Sequence, residues 1–169
     1  MSELAEILIG DGYATPPAHI LEGLVDGHGD EGLTHRKPAG APHSIYEELW
    51  HVVFWQQVTL EWIDGIETPY PKSSLDGFPT VLDMEKEPFD ALSSRFFEGL
   101  RMAVEAANDT SLHDRRVRCT SRPGQPMRVM TVLEQLQNLA AHNAYHLGRI
   151  VLLRQLLGVW PPASGGDSW

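Results

Sequence analysis

His142 and His146 stand four residues apart near the end of the sequence. At that spacing on a helix both imidazoles leave the same face and can reach one point. Neutral imidazole is a good ligand for zinc, nickel, iron and copper, so the pair is a candidate chelate for one divalent ion. Two ligands are an incomplete site, and H-x-x-x-H alone is equally read as two satisfied core or surface rings. His51 supplies a third candidate, because it lies in an aromatic-rich, apolar segment where a polar ring needs a specific partner. Three nitrogens with coordination space left over have the composition of a catalytic centre rather than a closed structural one. A zincin protease needs H-E-x-x-H, but position 143 is Asn. A di-iron bundle needs two E-x-x-H motifs; Glu48 to His51 gives one, and Asn138 and Leu139 precede His142 without a second. A mononuclear site is preferred.

Helical spacing nominates neighbours. Glu47 and Glu48 precede His51 by four and three residues, Trp55 follows it by four, and Asn138 precedes His142 by four. Three have an ordinary alternative: Glu47 as a cap, Glu48 as a solvated carboxylate, Trp55 as core; Asn138 is a candidate to orient a ligand or touch substrate. His19, His28, His35, His43 and His113 lack partner spacing and are read as ordinary surface or loop residues. Arg149 and Arg154 are candidates to pair with acidic groups or to steer an anionic substrate. Cys119 is read as a buried, inert thiol rather than a nucleophile.

The elements that must carry these residues are helices. SIYEELWHVVFWQQVTLEWIDG opens with an S-x-x-E capping box at Ser44 and Glu47 and stops at Gly65, with Leu49, Val52, Val53 and Trp62 buried. Pro88 opens a third segment with a stripe of Phe89, Leu92, Phe96, Leu100, Val104 and Ala107. The last helix starts with a T-x-x-E box at Thr131 and Glu134, carries Leu136, Leu139, Leu147 and Ile150 inward, and ends at Gly158 before Trp160, Pro161 and Pro162. Residues 2–9 form a weaker helix ended by Gly10 and Gly12. A short helix capped by Thr15 follows, with Pro16 in its first turn and Ile20, Leu21, Leu24 and Val25 on one face. Residues 27–42 read as a surface loop, and Glu67 to Phe89 as a long proline-rich connection. RVRCT and MRVMT, around a Pro-Gly turn, read as a small hairpin before the last helix. The pattern is all-α, a four-helix bundle in a single domain over residues 1–162, with a flexible polar tail at 163–169.

A chain of 169 residues with 42% hydrophobic and 21% charged residues is expected to fold as one domain. Thirteen basic against twenty-three acidic residues give a net charge of −10, which repels phosphate backbones and argues against a nucleic-acid partner. One cysteine cannot form an intramolecular disulfide. The acidic start lacks signal-peptide character, and no run approaches the roughly 18 apolar residues of a membrane span. A cytoplasmic protein that does not enter a membrane is the expectation.

The helix SIYEELWHVVFW, the proline-containing connection and the ending AAHNAYHLGRIVLLRQLLGVWPP together resemble the DinB-like (YfiT-like) metalloenzyme superfamily from about His43 to Pro162. The resemblance implies an up-down-down-up four-helix bundle, often dimeric. It also implies a three-histidine site for nickel, zinc or a similar ion, mapping onto His51, His142 and His146. The activity it implies is of hydrolase or thiol-dependent S-transferase type, acting on a small molecule with a low-molecular-weight thiol as one candidate substrate. A non-catalytic metal-binding or stress-response protein is the alternative.

Overall fold

The computed structural model describes residues 1–11, 15–25 and 32–166. Gly12, His28 and the tail's Asp167, Ser168 and Trp169 lie outside the described residues. The chain is mostly helical, with α1 (Glu3–Ile9), α2 (Pro17–Ile20), α3 (Ile45–Ile63), α4 (Val81–Lys86), α5 (Phe89–Asn108) and α6 (Val132–Leu156). Two short strands, β1 (Arg116–Cys119) and β2 (Arg128–Thr131), pair antiparallel with Arg116 opposite Thr131 and Cys119 opposite Arg128.

The long helices begin where local chemistry dictates. Ser44 and Glu47 close a reciprocal capping box on α3, and Thr131 and Glu134 do the same on α6, so each end satisfies two otherwise orphaned backbone donors. Gly65 and Gly158 follow the two helices with φ of 85° and 73°, a conformation that favours glycine.

Helices α3 and α6 pack against each other as the main pair, with α5 on α3 and α1 against both α5 and α6. The core between them is built from Leu49, Val52, Phe89, Leu92, Phe96, Leu136 and Ile150, all fully buried. Gly99 lets α5 approach α3: a Cβ there would sit 2.7 Å from the Gln56 side chain. The Gln56 amide, itself 1% exposed, lies against Phe96 O and Leu100 N of α5. The start of the chain is tied to the end of α5, where the Ser2 hydroxyl donates to Ala107 O. Arg154 of α6, buried, donates to Ile20 O of α2 and to Val159 O, and its guanidinium lies over Trp160.

The hairpin is anchored to the end of α3. Arg115 donates to Ile63 O, while Trp62 Nε1 and the Thr120 hydroxyl both donate to Thr68 O. Val117 and Cys119 form its buried face, and the Gln135 amide donates to Cys119 Sγ at 3.0 Å. Burial pushes the Cys119 thiol up from its ordinary range, as expected of an inert side chain.

The structure departs from the sequence reading in several places, among them the segment read as a surface loop, where a 3-10 turn at Leu33–His35 buries Thr34. The expected cap of α2 is not Thr15: the helix starts at Pro17 behind Pro16, which has no side-chain acceptor. Val25 is 55% exposed because α2 ends at Ile20, and only Ile20, Leu21 and Leu24 reach the core. Val104 is half-buried, and Ala103 takes the inward position instead. The connection from Glu67 to Phe89 is not structureless. It holds a 3-10 turn at Ser74–Gly77 and α4, each closed by its own capping box, Ser73 with Asp76 and Thr80 with Asp83.

Candidate metal centre

Glu48, His51 and Trp55 recur at three and four residues along α3, so they share the face turned towards α6. His142, His146 and Arg149 form the matching face of α6 by the same periodicity. Packing of the two helices brings His51, His142 and His146 together, with one ring nitrogen of each within 4.8 Å of the others. His146 is buried; His51 and His142 are half-buried.

The orientation of two rings is fixed by what their outer nitrogens touch. His51 Nδ1 lies 2.7 Å from Gly77 O. A carbonyl can only accept, so Nδ1 carries the proton and Nε2 keeps its lone pair. His146 Nδ1 lies 2.7 Å from Glu48 Oε2; the carboxylate accepts, so Nδ1 is the donor and Nε2 is the nitrogen available to an ion. His142 Nε2 faces His51 Nε2 at 3.2 Å, and its buried Nδ1 lies on the side of the ring away from His51, with Asn143 acting on the same imidazole.

Glu48 is fully buried, and its charge is balanced on both oxygens. His146 holds Oε2, and Arg149 presents Nε and Nη2 to Oε1 at 2.9 and 2.8 Å. Burial alone would raise the carboxyl, but the His146 hydrogen bond and the Arg149 guanidinium outweigh it and hold Glu48 below the ordinary carboxylate range. The histidines are driven the other way. Burial, then the neighbouring His146 and His51 rings, push His142 down to about 3. Burial also lowers His51, against the bond to Gly77. Both of these rings therefore favour the neutral form, which donates a lone pair.

The donor set fits a divalent ion. Two nitrogens bound to one ion at about 2.0–2.1 Å lie about 2.8–3.4 Å apart at octahedral to tetrahedral angles. The 3.2 Å between His51 Nε2 and His142 Nε2 falls in that interval. The three histidines, with a carboxylate and a carbonyl orienting two of them, could hold one metal ion.

Aromatic rings wall the centre. Phe78 stacks on His51 at 4.3 Å and is itself stacked by His43 at 4.0 Å, while Trp55 sets its ring edge-on to both His51 and His142. A cavity of about 700 Å3 opens on His51, lined by Trp55, Tyr70, Gly77 and Phe78 among others. A second, of about 400 Å3, reaches His142 past Trp55, Tyr70 and Asn138.

Of the nominated neighbours, Glu48, Trp55 and Asn138 are at the centre or its cavities. Glu47 is not: its carboxylate caps α3 and pairs with Lys37 at 2.8 Å. His19 pairs with Glu22, His35 stacks on Tyr46, and His113 bonds Ala107 O, so none of these joins the cluster. Sequence reasoning did not find Gly77 or Phe78, because their contact with His51 spans 26 residues of a connection read only as surface. The Glu48-x-x-His51 spacing was the available signal for Glu48, and Arg149, three residues beyond His146, for its counter-charge.

A family model described as the DinB superfamily matches residues 18–150, a span that contains all three histidines. No curated protein and no solved structure matches the chain well enough to supply a named relative.

Proposed function

This chain belongs to the DinB superfamily, and on that premise we propose that it is a metal-dependent enzyme whose His51, His142 and His146 hold one divalent ion. The observation that carries the reading is the convergence of three imidazoles, two of them oriented by Gly77 O and Glu48. Nickel and zinc are the ions proposed, since both accept imidazole nitrogen and leave positions open. The bundle is proposed to follow the up-down-down-up order of the superfamily and to assemble as a homodimer.

A bound divalent ion would supply Lewis acidity, the property that activates water for hydrolysis or a low-molecular-weight thiol for transfer. The chain's own residues would divide the remaining work. Glu48 holds the His146 tautomer and stabilises positive charge arriving at the centre, with Arg149 keeping the carboxylate ionised. Gly77 O does the same for His51. Phe78 and Trp55 exclude water from two sides. Asn138 and Tyr70, on the cavity walls, are placed to touch a small-molecule substrate.

A non-catalytic, metal-binding or stress-response role is the second reading. The cavities reaching His51 and His142 favour catalysis, because a purely structural ion is normally closed off from solvent and substrate. To test the enzyme reading, protein loaded with zinc or nickel is screened with thiols plus electrophiles and with esters and amides. Turnover in one class, abolished by His142→Ala, is expected. Full metal occupancy with no turnover in any class would favour the second reading.

A further inference from the structure

The surroundings of the histidine cavities carry a charge opposite to that of the chain. Residues 115–133 contain five of the thirteen basic residues and no carboxylate, in a chain of net charge −10. The hairpin brings two of these arginines to the site. Arg122 lines the cavity that reaches His51, together with Lys72, and Arg128 lines the one that reaches His142. A third cavity of about 300 Å3 lies between Arg122 and Arg128, beside Gln125 and Ser121. Tyr70 lines all three, so they adjoin around one side chain, and among the described residues no Asp or Glu lines any of them.

Several of the other exposed cations are paired with carboxylates. Lys37 is paired with Glu47, Arg95 with Glu87, Arg101 with Glu98 and Glu105, and Arg118 with Glu67. Among the described residues Arg122 and Arg128 have no carboxylate partner. Arg128 makes one long bond to Thr120 O, at 3.4 Å, and lies over the Trp62 ring. Lys72 has only Asp76 near it, and that carboxylate is engaged by Ser73. The Ser121 hydroxyl is shielded from solvent and has no hydrogen-bond partner. Two unpaired guanidiniums, a shielded hydroxyl and a side-chain amide around one cavity have the composition of an oxyanion site.

We propose that the cleft binds a small anionic molecule. Arg122 and Arg128 hold its carboxylate or phosphate oxygens, and the remainder extends past Tyr70 and Trp55 towards His51 and His142. The inference names the substrate class of the site proposed above and rests on that reading for what happens at the histidines, but not for the anion contact itself. It also accounts for the hairpin, which holds no part of the histidine cluster.

The test uses the full chain, metal-free and zinc-loaded, with succinate, inorganic phosphate and uncharged succinamide as probes in calorimetric titrations. Succinate or phosphate is expected to bind at low ionic strength, to weaken as salt is added, and to bind at least tenfold more tightly than succinamide. R122Q and R128Q are each expected to weaken succinate binding about tenfold, since one charge-assisted bond is lost, while R128K retains most of it. Zinc stoichiometry, measured on the same samples, is expected to stay unchanged in these variants. Equal binding of succinamide, unchanged binding in both Gln variants, or no anion binding at millimolar concentration would overturn the proposal. Loss of zinc from the wild-type chain with anion binding intact would instead count against the metal reading alone.

Discussion

Glu48→Gln isolates the carboxylate from the ring it orients. The substitution keeps the volume and an acceptor for His146 Nδ1 but removes the charge and turns an amide donor towards Arg149, whose Nε and Nη2 lie 2.9 and 2.8 Å from the present oxygen. Outer carboxylates of this kind are worth about 10–100-fold in metal affinity, or about 1.4–2.7 kcal/mol. Unfolding of the metal-free protein is affected separately. Two charge-assisted bonds are weakened at a fully buried position, but the Arg149 side chain is 32% exposed and can rehydrate. The expected loss is therefore about 1–3 kcal/mol rather than the full penalty of an orphaned buried charge. Metal affinity is read by chelator competition at pH 7, and stability by urea denaturation of the metal-free chain. Glu47→Gln is the control. It keeps an acceptor at the N3 position of the α3 capping box, loses a favourable charge at the helix start worth about 0.3–1 kcal/mol, and leaves metal affinity unaltered. A folded Glu48→Gln variant that binds metal within twofold of wild type would refute the orienting role.

Two further predictions concern the helix packing and the protonation of the site. Gly99→Ala places a Cβ 2.7 Å from Gln56 Cδ at the α3–α5 contact, so it should destabilise by about 1–3 kcal/mol in urea denaturation, and an unchanged midpoint would contradict the close approach. The metal-free protein should lose stability as pH falls from 7 to 5. His142 titrates at about 3 when folded but near about 6.5 when unfolded, so the unfolded chain takes the proton first. Stability from this group is full above about pH 6.5, and its loss has a slope of at most about 1.4 kcal/mol per pH unit. His51 shifts in the same direction. Glu48, lowered by folding, adds its own loss only below about pH 4.5. Equal stability at pH 7 and 5 would contradict the neutral, desolvated histidines.

Local signals in the sequence were reliable where short-range chemistry decides the structure. The boxes at Ser44–Glu47 and Thr131–Glu134 start α3 and α6, and the Pro-Gly turn lies between β1 and β2. The i,i+4 spacing of His142 and His146 predicted a shared face, and His51 was recognised as a polar ring in an apolar helix that needed a partner. Tertiary contacts were not legible in the same way. Nothing near Gly77 marks its carbonyl as the acceptor for a ring 26 residues earlier. Glu48 looked like a surface carboxylate until α6 supplied both His146 and Arg149. Arg122 and Arg128 read only as residues of a turn and a strand, because the packed fold alone sets them beside the cavities. The T-x-x-D box at Thr80 and Asp83 was present in the sequence, but four prolines nearby made the whole connection look irregular.

The most direct test of the metal centre is X-ray absorption on the chain reconstituted with one equivalent of zinc or nickel. Three imidazole nitrogens at about 2.0–2.2 Å are expected, falling to two in His51→Ala and in His142→Ala, with no sulfur in the shell. A shell of fewer than two imidazoles, a thiolate ligand, or the same three-nitrogen shell in both variants would contradict the assignment.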